Sequence, residues 1–357
     1  MASSGPSGVT TPRELGYRWP AEWEPHAATW LAWPHKEASW PGKFEPVPAI
    51  FVEMVRALVP GERVEILVLS EEHRAPVARL LRAGGVDLAR VGLHVLPTDD
   101  AWIRDHGPIF LRRDRRADGE GLDVAVTDWG YNAWGGKYPP WEQDDRVPTE
   151  LASRFGWRVF EPGMILEGGS VDGDGEGTVL TTESCLLNPN RNPSLGRDAI
   201  EQRLRDFLCA EKVLWLGDGI AGDDTDGHVD DLARFVAPGV VVTVVEEDPA
   251  DENYRALQDN LARLRAMVDA RGRRVTVRTL PMPRALYEQG QRLPASYANF
   301  YVANSAVLVP AFDDPNDEKA LAALSSAFPG RRVIGIRATD LVWGLGAFHC
   351  LTQQQPA

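Results

Sequence analysis

Short apolar runs bounded by glycine, proline and acidic residues alternate along this chain with stretches in which apolar positions recur every three or four residues. The first pattern argues strands and the second amphipathic helices. Ala27–Trp33 reads as a strand, Val47–Leu58 as a helix and Arg63–Leu69 as a strand, followed by a helix over Glu72–Ala83 and a strand over Gly92–Leu96. The rhythm returns as strands Ile109–Arg112 and Asp123–Thr127, helix Val147–Phe155 and strand Trp157–Phe160. It returns again as strand Thr178–Thr182, helix Leu195–Leu208, strand Lys212–Leu216, and as strand Val240–Val245, helix Glu252–Ala270, strand Arg274–Leu280. A last unit runs through Ala306–Pro310, Asn316–Phe328 and Arg332–Ile336.

These make five strand–helix–strand units, each preceded by a segment rich in glycine and reactive side chains. Asp105, Glu167 and His228 recur about every 60 residues, as a chain of 20- to 50-residue repeats or slightly longer ones would place equivalent loops. A doubly wound sheet also alternates strands and helices, but it does not start each unit with a polar glycine motif at even intervals. A radial arrangement does, because equivalent loops then converge on one axis. The expectation is an α/β fold in one domain over residues 19–357, a five-bladed pseudo-symmetric αβ propeller, after a flexible N-terminal segment over 1–18.

Composition narrows the partners. The chain has 357 residues, 43% hydrophobic, with a formal charge of −14. Dispersed basic residues and an acidic field disfavour nucleic acid and favour a small cation. Cys185, Cys209 and Cys350 show no CxxC spacing and no even-numbered framework, which fits free thiols in a reducing, cytoplasmic setting. The first 18 residues lack the apolar core of a signal peptide, and the run around Val240–Val245 is too short to span a bilayer, so no membrane association is expected. Of 12 tryptophans, several fall in the first 40 residues and read as core and lid packing.

Four segments carry chemistry. Gly344–Gln354 reads as a glycine-flexed strand bearing Phe348, His349 and Cys350, tied into the body although it lies near the chain end. A lone buried thiol is commonly inert. Trp102-Ile103-Arg104-Asp105-His106-Gly107-Pro108 offers Asp105 facing inward to grip a planar cation, or a surface turn with an Arg104–Asp105 pair. Met164–Ser170 places Glu167 after an apolar run and before Gly168-Gly169; a glutamate at the end of a buried strand suits proton transfer. Gly222–Asp231 is the densest cluster. On a strand His228 and Asp230 share a face, and an imidazole beside a carboxylate works as acid or base. A metal site is the alternative there, opposed by the absence of a second nearby histidine and of a calcium-loop pattern.

A guanidinium carbon is a poor electrophile because its charge is spread over three nitrogens. Its hydrolysis calls for two carboxylates to hold the nitrogens, a thiolate to attack, and an imidazole–carboxylate pair to move protons. Asp105 and Asp230, Cys350, and His228 with Glu167 supply those types.

The sequence resembles the agmatine deiminase family, within the guanidino-modifying penteins. The likeness runs through Trp19–His26, Trp102–Pro108, Asp128–Gly136, Glu167–Gly169, Leu186–Pro193, Gly227–Asp230 and His349–Gln354, covering nearly the whole chain. It implies a five-bladed αβ propeller with its active site on the central axis. It further implies Cys350 as nucleophile, His228 and Glu167 as proton-transfer groups, and Asp105 and Asp230 as guanidinium clamps. Asp224 then contacts the substrate, Trp102 lines the pocket, and no cofactor or metal takes part. The implied reaction is hydrolysis of agmatine to N-carbamoylputrescine and ammonia through a thiouronium on Cys350. The chain departs from the family pattern in a short Lys137–Trp141 loop, in Asp226 where asparagine is common, and in Leu345–Phe348. Rival expectations are a deiminase of another guanidine such as peptidylarginine, a non-enzymatic partner-binding pentein, and a metal-dependent hydrolase on Asp223, Asp224, His228 and Asp230. No arginine in the motifs stands ready to read a substrate carboxylate. Homo-oligomerisation is left open.

Overall fold

The apolar runs pair into five sheets that obey one rule, and the chain's last strand completes the first of them. The computed structural model describes residues 10–114 and 123–357. The first sheet holds β1 (His26–Ala32), β2 (Arg63–Val68) and β3 (Val91–Val95). The second holds β4 (Ile109–Arg113), β5 (Asp123–Thr127) and β6 (Arg158–Phe160), and the third β7 (Val171–Gly173), β8 (Thr178–Thr182) and β9 (Lys212–Leu216). The fourth is β10 (Ala233–Ala237), β11 (Val240–Val245) and β12 (Thr276–Pro281). A hairpin of β13 (Tyr287–Glu288) and β14 (Gln291–Arg292) precedes the fifth sheet, β15 (Tyr301–Val302), β16 (Ala306–Ala311) and β17 (Arg332–Arg337). The final strand, β18 (Gln353–Pro356), returns to pair with β1.

In every unit the first strand runs antiparallel to the second, and the second parallel to the third. The unit that closes the fold keeps the rule with β18, β1 and β2, adding β3 at its edge. A parallel pair needs a crossover, and a helix supplies it each time. These are Val47–Leu58, Val147–Phe155, Arg197–Phe207, Tyr254–Ala266 and Asp317–Ala327. Val47–Leu58 buries Val47, Phe51, Val55 and Leu58 at helical spacing against the sheets. First strands of neighbouring units touch, β18 against β4 and β7 against β10. The five-unit repeat expected from the sequence is therefore present.

Three details differ from expectation. Cys350 is not on a strand: residues 348–351 form a turn, and pairing begins only at Gln353. The fourth helix stops at Ala266, because Asp269 Oδ1 accepts from the backbone of Arg271 at 2.9 Å and Arg273 at 2.8 Å, a turn that competes with helix. Of the segment expected to be flexible, residues 1–9 lie outside the described residues. The rest is held, with Tyr17 buried and donating to Asp123 at 2.8 Å and Arg18 bridged to Arg112. Among the described residues no helix is long and apolar enough to cross a membrane.

Charges as well as apolar side chains lie inside. Glu22, in the segment before β1, accepts from Arg234 at 2.7 Å and from the backbone of Val302 at 2.7 Å. It also lies 2.9 Å from His349 Nε2 and 3.4 Å from Arg104. Arg234 in turn donates to Asp172 at 3.0 Å and to the Phe300 carbonyl at 2.8 Å. One carboxylate thus meets residues from or beside β4, β10, β15 and β18, and through Arg234 reaches β7. Burial opposes its charge, but Arg234, His349 and Arg104 outweigh burial and hold Glu22 well below its ordinary 4.5.

Glu22→Gln removes that charge and leaves two buried guanidiniums undercompensated, so it should cost about 3–5 kcal/mol, read as a lowered urea midpoint. Because the folded pKa is depressed, the stabilisation is complete above the ordinary value of 4.5 and lost as pH falls through the folded value. The gap between wild type and variant should therefore close on acidification.

Candidate active site

Every first strand is entered from a short irregular segment, and those segments meet. Asp105 sits in the helical turn Ile103–His106 before β4, and Glu167 just before the turn Gly168–Ser170 that leads into β7. His228 caps the turn Val229–Asp231 before β10, and Asp230 lies within it. Cys350 occupies the turn before β18. The expected strand alternation of His228 and Asp230 is absent, and Glu167 follows a single bridge at Ile165 instead of ending a strand. The residues nevertheless converge, because the units are equivalent.

The geometry is tight. His228 Nδ1 lies 3.7 Å from Asp105 and 4.0 Å from Asp230, while its Nε2 is 4.0 Å from Glu167. Cys350 Sγ is 3.5 Å from Asp230 Oδ2. The glycines of the Glu-Gly-Gly motif permit this. A Cβ at Gly169 would stand 2.6 Å from His228 Nδ1 and 2.8 Å from Asp105 Oδ1, and one at Gly168 only 2.1 Å from the Arg104 carbonyl. Gly169 N–H also donates to Asp105 at 2.9 Å.

Several supporting residues escaped the sequence reading. Asn299, before β15, donates to Cys350 Sγ at 3.0 Å and accepts from His349 N–H at 3.1 Å. It supplies the fifth unit's contribution, and it falls outside the roughly 60-residue spacing of the other motifs, so that spacing did not mark it. His349 spans Asp230 at 2.6 Å and Glu22 at 2.9 Å, fixing the Asp230 carboxylate. Arg191 Nε donates to Glu167 at 2.7 Å. Trp134 donates to Asp105 Oδ2 at 3.0 Å from a backbone with φ of 55°, an uncommon left-handed conformation for a bulky residue. Arg104 proves structural as expected, donating to Gln353 at 2.6 Å and Gln354 at 2.8 Å.

Electrostatically the site is a negative cage. Burial raises Asp105 to about 6, with repulsion from Asp230 and Glu167 adding and His228 opposing. Burial also lifts the Cys350 thiol well above its ordinary 9.0, helped by Asp230, Asp231 and Asp105. For His228 burial disfavours the cation, yet the neighbouring anions, Asp105 foremost, overcome it and push the imidazole well above 6.5. Asp230 is pulled down against burial by the hydrogen bond and charge of His349. Glu167 Oε2, both nitrogens of His228 and Asp230 Oδ1 are buried without a hydrogen-bond partner among the described residues. The two carboxylate oxygens call for a guest with donors and positive charge, while the imidazolium N–H groups call for acceptors.

A cavity of about 410 Å³ leads down to Asp105 and Cys350. Cys350 and Asp105 line its floor, Trp102, Trp134 and Trp343 its walls, and Lys36, Lys137, Tyr138 and Asp224 its mouth. Trp102 is stacked on Trp40 at 5.3 Å. Metal binding fits poorly. Asp223 is occupied by the backbone of Thr225 at 2.7 Å and Gly227 at 2.8 Å, and Asp224 by Lys137 and Tyr138. Glu167, Cys185 and His228 stand at ligand-like spacing, but Arg191 takes Glu167 Oε1 and neighbouring anions push the imidazole toward its protonated form.

Fold and side chains together define an α/β enzyme of five repeated units with a thiol where they converge. The chain belongs to the Porphyromonas-type peptidyl-arginine deiminase family, whose model matches residues 18–356. It is 39% identical to the agmatine deiminase of Pseudomonas aeruginosa (strain LESB58), with 98% of each chain covered. Among solved structures it is similar to the agmatine deiminase of Enterococcus faecalis, at 36% identity over 98% of each chain with a TM-score of 0.89. A substrate-bound agmatine deiminase from C. jejuni matches at 31% identity over 96% of each chain, with a TM-score of 0.85.

Asp105 must be ionised to hold a cation, so kcat/KM for a guanidine should rise with pH through a limb near 6. Asp105→Asn should abolish that limb and lower kcat/KM by about 100-fold or more, the scale of losing one partner of a buried ion pair. A limb unchanged in the variant would assign the titration elsewhere.

Proposed function

We propose that the chain is an agmatine deiminase acting in the cytoplasm on a small cationic guanidine. The observation that carries this reading is the cage itself: two carboxylates, Asp105 and Asp230, flank a buried thiol whose ionisation they suppress. A guanidinium between them satisfies both carboxylates by parallel N–H donation and cancels the repulsion on Cys350. The thiolate then forms, its proton leaving to solvent through the cavity, and attacks the guanidinium carbon. His228, held as imidazolium, donates a proton to the departing nitrogen, and the tetrahedral adduct expels ammonia to leave an S-alkylthiouronium on Cys350. The neutral imidazole, steadied beside Glu167, next takes a proton from water, whose oxygen bonds to the carbon. Collapse expels the thiolate and yields the ureido product. Atoms balance as agmatine plus water giving N-carbamoylputrescine plus ammonia, with no cofactor required.

Peptidylarginine needs an open cleft, for which a short Lys137–Trp141 loop leaves room. Instead, Lys137 and Tyr138 bind Asp224 across the mouth, which favours a small guest. All five reactive side chains and their supports are present, which argues against a purely partner-binding role.

The test is ammonia release from agmatine, free arginine and a blocked arginine peptide, with and without a chelator. Agmatine should be preferred and the chelator without effect; preference for the peptide would reverse the assignment. Cys350→Ser should fold but lose turnover, since a hydroxyl ionises far less readily than a thiol. Mass spectrometry of acid-quenched wild type should find the substrate adduct on Cys350; an adduct on Cys185 or Cys209 would sink the mechanism.

A further inference from the structure

The sequence reading found no cation placed to meet a substrate's tail, and the structure brings one there. Lys137 lies at the cavity mouth with its side chain 29% exposed. Its ammonium stands 3.3 Å from Asp224 Oδ1, donates to the Asp224 carbonyl at 2.6 Å, and donates to Asp226 at 3.0 Å. Asp226 is itself shared with Arg191, and Tyr138 donates its hydroxyl to the other oxygen of Asp224. Across the mouth, Lys36 faces Asp100 at 3.5 Å. The rim therefore holds carboxylates that already have counter-ions.

We propose that Lys137 determines which tail charges the cavity accepts, by serving as a resident counter-ion for Asp224 that an incoming ammonium must displace. This rests on the reading that guanidines enter the cavity head first toward Cys350. Asp224 alone would attract a terminal ammonium and repel a terminal carboxylate. With Lys137 bound to it, the attraction is largely spent, and a neutral or anionic tail meets no net repulsion. The position fits such a role. The pair is partly shielded, so its charges are felt more strongly than those of a fully exposed pair, yet Lys137 retains enough freedom to swing toward solvent or a ligand. The wild-type rim accordingly prefers the dication, but by less than Asp224 alone would.

The experiment measures binding by calorimetry in a Cys350→Ala background, so that no turnover intervenes. Three ligands share the guanidine and differ in the tail: agmatine, butylguanidine and 4-guanidinobutyrate. Adding Lys137→Met should shift the ratio of dissociation constants between 4-guanidinobutyrate and agmatine toward agmatine by about five- to tenfold, while butylguanidine changes by less than about twofold. Lys137→Arg should restore the wild-type ratio. An unchanged ratio in Lys137→Met, or an equal change for all three ligands, overturns the proposal, the latter because it marks a loop that merely supports the pocket. Turnover of agmatine by the parent enzyme is read separately. Its absence would overturn the assigned reaction, whereas the binding ratios still decide the role of Lys137.

Discussion

A buried carboxylate is tolerable only when cations are brought to it, and Glu22 imposes that condition on the whole fold. It meets Arg234, Arg104, His349 and the Val302 backbone at once. Each partner comes from a different unit, so the charge is satisfied only when the units are assembled in register. Apolar burial drives the sheets and helices together without direction. The ion network adds direction, because a unit displaced by one residue would leave a guanidinium or a carboxylate unpaired in low dielectric. The same network reaches the chemistry in one step. His349 carries Glu22 on one nitrogen and Asp230 on the other, so the constraint that aligns the units also orients Asp230 beside Cys350.

The sequence was legible where a single element carried its own signal. Val47–Leu58, Asp123–Thr127, Val147–Phe155, Thr178–Thr182, Lys212–Leu216 and Val240–Val245 have the boundaries that periodicity and β-branched content imply. The first strands were largely invisible. β15 has two residues and β7 three, too short for any period, and β10 carries a buried arginine in Arg234. Their pairing is dictated by neighbouring units, not by their own composition. Site residues followed the same division. Asp105, Glu167, His228, Asp230 and Cys350 stand in glycine-marked motifs of reactive types. Asn299 sits between Ala298 and Phe300 with nothing local to mark it, and Glu22 and Arg191 gain their roles only from partners distant in the chain. The expectation of strand geometry at His228 and Cys350 failed for a related reason. Tight turns let side chains from separate units approach one another head on, which an alternating strand would not.

The arrangement also shows how an acidic cage coexists with a buried thiol. In the free site, burial and surrounding carboxylates hold Cys350 protonated, and Asp105 itself is raised to about 6. The thiol is not ready for chemistry near neutrality, whereas Asp105 ionises as pH rises through about 6. A guanidinium alters both in the same direction, favouring the carboxylate it contacts and the thiolate beneath it. The thiol is therefore guarded until a guest of the right charge arrives, a selectivity that a permanently ionised cysteine would lack. The tail end follows the opposite logic. There the negative charge of Asp224 is already paired with Lys137. A cation placed at the floor would instead favour the carboxylates and the thiolate together, in one electrostatic event.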